Sequence, residues 1–108
     1  MSKRIYEQVD VTAGAGVEVS EVIFTSTQEV PRTLKRICTN AATATVDLVV
    51  YDGREKIGDI PLDGIGLVES WVDFDRPIEV GSQVKVGLMN GTGGAITYPI
   101  LVESEVPD

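Results

Sequence analysis

The sequence predicts an all-β fold, a single jelly-roll sandwich of about eight antiparallel strands in two sheets. Two observations point there. Short runs rich in Val, Ile and Thr recur about every ten to twelve residues, and the gaps between them carry Gly, Pro, Asn or Asp. No helical hydrophobic period of useful length interrupts that spacing, and no internal repeat is present. Size supplies the third: 108 residues, 43% hydrophobic and 24% charged, suit one sandwich core and one domain spanning residues 1–108.

Each strand has its own justification. In Arg4–Thr12, Ile5, Val9 and Val11 share a face, and Ala13–Gly16 turns the chain. In Val17–Thr25 the alternation changes phase: Val17 and Val19 lie on one face, Val22 and Phe24 on the other. That predicts a β-bulge near Ser20–Glu21. A polar loop, Ser26–Pro31, leads to Thr33–Thr39. Thr45–Asp52 is the clearest strand, with Val46, Leu48 and Val50 in phase. Asp52-Gly53 then predicts a tight hairpin into Glu55–Leu62, and Pro61 places that strand at an edge.

Leu67–Phe74 follows, alternating Val68, Val72 and Phe74 with Glu69, Trp71 and Asp73. Arg76–Gly81 reads as the one longer crossover between sheets, with Ile78 and Val80 plugging an end of the core. Gln83–Met89 carries Val84, Val86 and Leu88, and Asn90–Gly94 reads as a flexible turn. Ala95–Glu103 places Ile96, Tyr98, Ile100 and Val102 in phase. Residues 1–4 are expected to form a flexible N-terminal arm and 104–108 a short polar tail. A seven-stranded immunoglobulin-like sandwich is the nearest alternative. Trp71 lies too late for it, and the single Cys38 cannot supply that fold's cysteine pair.

Composition narrows function by what it opposes. The net charge is −8, with nine basic residues, so a polyanion is repelled unless Lys3, Arg4, Arg32, Lys35 and Arg36 gather on one face. Nucleic acid is therefore not an expected partner. No run approaches the length of a membrane span, and the N-terminus lacks the apolar region of a secretory signal, so synthesis in a cytoplasm is expected. Without His, Cys38 has no imidazole base and reads as a small buried residue.

No catalytic, cofactor-binding or metal-ligating set is expected. Glu69, Asp73 and Asp75 bring three carboxylates together, but the spacing is not that of an EF-hand loop, and solvated edge charges explain it better. Gly91–Gly94 is followed by a strand instead of the Lys and helix of a phosphate loop. Asn90-Gly-Thr92 matches a glycosylation sequon by chance.

The candidate interaction residues are Lys3, Arg4, Tyr6, Tyr51 and Trp71. Trp71 and Tyr51 both fall on the polar side of their strands. Outward rings on a sheet serve as a sugar-stacking platform or as a protein contact that Met89 and Ile57 extend, or else sit half-buried under a loop that covers the sheet. Lys3 and Arg4 belong to the expected arm, and Tyr6 closes the N-terminal segment Met1–Tyr6 that is expected to reach an acidic neighbour.

The hairpinned strands Thr45–Asp52 and Glu55–Leu62, and the run from Val72 through Asn90, resemble the small jelly-roll proteins of virus particles. The closest likeness is to the decoration, or cement, proteins of tailed-phage capsids. The resemblance is architectural and covers most of the chain. It implies a non-enzymatic trimer on the virion surface that clamps capsid subunits, with no cofactor. The competing reading is a carbohydrate-binding β-sandwich module.

Overall fold

The structure is a computed structural model that describes residues 2–39, 45–62 and 71–107. Eight strands are present: β1 (Ser2–Ala13), β2 (Glu18–Thr25), β3 (Arg32–Thr39), β4 (Val46–Asp52), β5 (Glu55–Pro61), β6 (Trp71–Ile78), β7 (Gln83–Asn90) and β8 (Ile96–Pro107). They form two antiparallel four-stranded sheets, β1-β8-β3-β6 and β2-β7-β4-β5. The pairs β1·β8, β2·β7, β3·β6 and β4·β5 are nested, so the chain is one long hairpin folded double and rolled into two layers. That is jelly-roll topology.

The roll corrects one expectation. Only β4 to β5 is a hairpin between sequence neighbours within a sheet; every other connection joins the two sheets. The core between the layers is aliphatic: Val11, Leu34, Ile37, Ile100 and Val102 from the first sheet meet Val46, Leu48, Val50, Val84, Val86 and Leu88 from the second. In β4, β7 and β8 alternation set that list, because the period of two puts one whole side-chain set against the opposite sheet; in β3 the bulge at Lys35 puts Leu34 and Ile37, three residues apart, on the same inward face.

Both termini differ from expectation. Ser2–Arg4 are paired in β1, with Ser2 opposite Pro107 and Arg4 opposite Glu105. The expected arm and the expected tail, residues 104–107, are therefore the two halves of one ladder, and Ser104 and Val106 are buried. Arg76–Ile78 belong to β6 and not to a crossover. Ile78 is buried as expected, but Val80 is 60% exposed and plugs nothing. Leu67–Ser70, with Val68 and Glu69, lie outside the described residues.

Among the described residues both sheets carry bulges. Val22 pairs with Lys85 and Phe24 with Val84, leaving Ile23 as an extra residue in β2. This is the expected phase change, two to three residues later than the alternation placed it. It returns Phe24 to the core beside Val19 and leaves Val22 exposed. Ile57 is extra in β5 relative to β4. In the first sheet, Lys35 is extra in β3 against β8, and β6 carries one residue more than β3 between Asp73 and Arg76. Asp75 there has φ 49°, in the left-handed region.

The Asn90 turn is ordered. The buried Asn90 amide donates to the carbonyls of Ala13, Gly14 and Gly94, while its oxygen accepts from the Thr92 amide and hydroxyl. Its nitrogen is therefore engaged, and the sequon is closed to modification.

Candidate interaction surface

The outer face of the first sheet gathers three of the five candidate residues. Alternation along β1 turns Arg4 and Tyr6 outward, and β8 turns Glu103 and Glu105 to the same side, directly alongside. Arg36 of β3 pairs in register with both Glu103 and Asp73, and Trp71 ends the row on β6. Arg4 donates from Nη1 to Glu103 Oε2 at 2.6 Å and from Nε to Glu105 at 3.0 Å. Arg36 Nε donates to the other Glu103 oxygen at 2.5 Å. The Arg36 guanidinium lies over the Trp71 ring, 4.2 Å from its centroid.

Glu103 is thus a carboxylate on the outside of a sheet that is only 1% exposed, because two arginines roof it. Burial pushes its pKa up, but the hydrogen bonds from Arg36 and Arg4 outweigh burial and hold it below the usual carboxylate range. The same bond raises Arg36, with a smaller contribution from Tyr6.

The two bulges complete the face. They throw the extra residue Lys35 and the left-handed Asp75 out together, where they form an ion pair that lowers the Asp75 pKa. Arg4, Lys35, Arg36, Asp73 and Asp75 line an open hollow of about 500 Å³. Arg4, Lys35 and Arg36 do gather on one face, as a basic patch requires, but Glu103, Glu105 and Asp75 neutralise them. Arg32 stands apart. It pairs with Glu7, donates to Ser104 Oγ and stacks on Phe24, 4.1 Å from the ring centroid.

Tyr51 lies elsewhere. It belongs to β4 in the second sheet, so the two aromatics that alternation marked as outward do not form one platform. Its hydroxyl donates to Glu18 at 2.6 Å, and Lys56 reaches both Glu18, at 3.1 Å, and the face of the Tyr51 ring. The bond to Glu18 raises the Tyr51 pKa, and its counterpart lowers that of Glu18. Ile57 packs against the core and extends no outer surface, and Met89 sits opposite Glu18 and Asp47. Lys3 is exposed near the start of β1, opposite Val106.

Alternation identified Trp71 as a candidate, and Arg4 and Tyr6 were candidates as parts of an arm; neither line of reasoning found Arg36 and Glu103, which join them. Glu103 and Arg4 are 99 residues apart, and only the nested pairing makes them neighbours. Glu69, the third of the suspected metal carboxylates, lies outside the described residues. Asp75 is engaged by Lys35, and among the described residues no group of three or more potential ligands assembles.

No protein-family model matches this chain, and no curated protein matches it. A solved structure from work described as "Bacillus endospore appendages form a novel family of disulfide-linked pili" is similar over 98% of this chain and 89% of its own. Its TM-score is 0.45 and its identity 14%. A likeness at that level assigns no function.

Proposed function

We propose that this protein is a non-enzymatic structural subunit that acts as a homo-oligomer docked on a larger protein lattice, a virion capsid being the lattice that the architectural resemblance implies. The observation that carries this reading is the pairing of ionisable side chains with one another: Arg4 and Arg36 roof Glu103, Lys35 holds Asp75, and Glu18 engages both Tyr51 and Lys56. The pKa values of Glu18, Asp75 and Glu103 are lowered, while those of Arg36, Tyr51, Lys56 and Arg76 are raised. Each of these groups is moved away from neutrality by a partner. General acid–base chemistry needs the opposite, a group poised near the working pH. The ionisable groups of both outer faces act as mutual clamps that rigidify a surface.

The carbohydrate-module reading is disfavoured by Arg36, which covers the Trp71 ring that a sugar would need to stack upon. The resemblance implies three copies. Static light scattering on the purified chain tests the reading: a defined oligomer is the expected result. A strict monomer whose Trp71 fluorescence shifts on addition of a panel of oligosaccharides would reverse the choice.

A further inference from the structure

A sandwich of two open sheets has four edge strands, here β1 and β6 in one sheet and β2 and β5 in the other. An unpaired edge is a template for another strand, and stable monomers blunt theirs with bulges, prolines or short strands. Three of these edges are blunted. β6 has the bulge at Asp75 and contains Pro77, β5 has the extra Ile57 and ends in Pro61, and β2 has the extra Ile23. β1 has none of these backbone devices; its only edge charges are side chains of both signs, Lys3, Arg4, Glu7 and Asp10. It pairs with β8 without a register shift over twelve residues, Ser2 to Ala13, and contains neither Pro nor Gly. At the usual rise this is an edge about 40 Å long. Among the described residues no strand is hydrogen-bonded to its free side, although β2 of the facing sheet approaches β1.

From this we infer that the free edge of β1 is an interface, and that its occupant is the β1 strand of a second copy, paired antiparallel about Glu7. Three features choose that occupant. A heterologous ring would need a second compatible edge, and the other three are blunted, so the open edge suits itself in an isologous pair. Register must also keep outward residues opposite outward residues, which excludes a one-residue slip. Pairing centred on Glu7 then sets Arg4 opposite Asp10 of the other copy, twice, with Tyr6 opposite Gln8 and Ile5 opposite Val9.

Sliding the strands to the adjacent allowed registers sets Arg4 opposite Thr12 or Gln8 and loses both charge pairs. The two central Glu7 side chains each bring an Arg32 partner, which offsets their repulsion. Tyr6, 55% exposed in one chain, would be covered at the seam. The two four-stranded sheets then become one continuous sheet across both copies.

The inference goes beyond the structural-subunit reading, because an oligomer built through the sheet faces would satisfy that reading and be blind to the changes proposed here. Sedimentation equilibrium of the full chain is expected to show a dimer. Asp10→Arg opposes like charges at both ends of the seam and should weaken the dimer roughly tenfold or more. Arg4→Glu should do the same, and an equimolar mixture of the two variants should regain a heterodimer by native mass spectrometry, since each charge then meets its opposite.

Arg4→Glu also loosens the Glu103 clamp, so a second readout avoids it. Directly opposed residues in an antiparallel pair lie within disulfide reach. Mixed Tyr6→Cys and Gln8→Cys chains should therefore cross-link on mild oxidation, while neither variant cross-links alone. Cross-linking of Tyr6→Cys alone or Gln8→Cys alone would report a shifted register and overturn the inference. So would a monomer, a trimer, or a dimer indifferent to Asp10→Arg.

Discussion

Glu103 shows how a residue that reads as surface becomes structural. Alternation gives it an outward side chain, yet Arg4 and Arg36 occupy both its oxygens and exclude water. Replacing it with Gln leaves the shape but strips the charge from beneath two guanidinium groups. The expected loss is about 2 kcal/mol, set by charge-assisted hydrogen bonds of this kind, and denaturant unfolding reads it directly. Gly87 makes a harder demand. A Cβ there would lie 1.9 Å from the Val19 carbonyl oxygen and 2.6 Å from Ser20 Cα, where Gly87 is paired opposite Ser20 of β2. Gly87→Ala is expected to cost more than about 3 kcal/mol, because backbone and not a flexible side chain must move. Loss of a cooperative transition in a melt would be the extreme outcome, and an unchanged midpoint would show that the strands part freely.

Deleting residues 2–8 is the decisive change at the level of the strand. It removes more than half of the β1 ladder, the Arg4 clamp and the Glu7–Arg32 pair. A mobile arm is dispensable for folding; this segment is not, and the truncated chain is expected to melt about 10 °C or more below the full chain. An equal melting temperature would restore the arm. The contrast explains what the amino-acid order made legible. β4, β7 and the core half of β8 were readable because their aliphatic residues repeat with period two against a buried layer. The outer half of β1 and the end of β8 were not, because Lys3, Arg4, Glu103 and Glu105 look solvated until the nested pairing sets opposite charges side by side. β6 was misread past Phe74 because Pro77 signals a break. On an edge, a proline needs no ladder donor, and the strand continues to Ile78. Likewise Trp71 was legible as an outward ring, while Arg36 above it depended on a register that only the folded sheet fixes.

For the molecule as a whole, two electrostatic effects oppose each other as pH falls. At neutrality the net charge of −8 repels itself, and acidification toward the pI of about 4.4 relieves that strain. Against this stand Glu18, Asp75 and Glu103, whose folded pKa values lie below their ordinary ones because Tyr51, Lys35 and the arginine pair hold the charged forms. A depressed carboxylate contributes stability that is fully present above its unfolded pKa, about 4 for these groups, and that is lost as pH falls through the folded value. The two effects therefore act in different windows. The melting temperature should hold or rise slightly between about pH 7 and pH 5, as repulsion fades while the carboxylates remain ionised. It should then drop below about pH 4, where the unfolded chain takes up protons that the paired carboxylates of the folded chain resist. Glu103→Gln separates the causes: it lowers the neutral plateau and flattens the acid limb, because the titrating group is gone. An acid limb as steep in that variant as in the parent chain would mean that the Arg4–Glu103–Arg36 clamp is not what acid breaks.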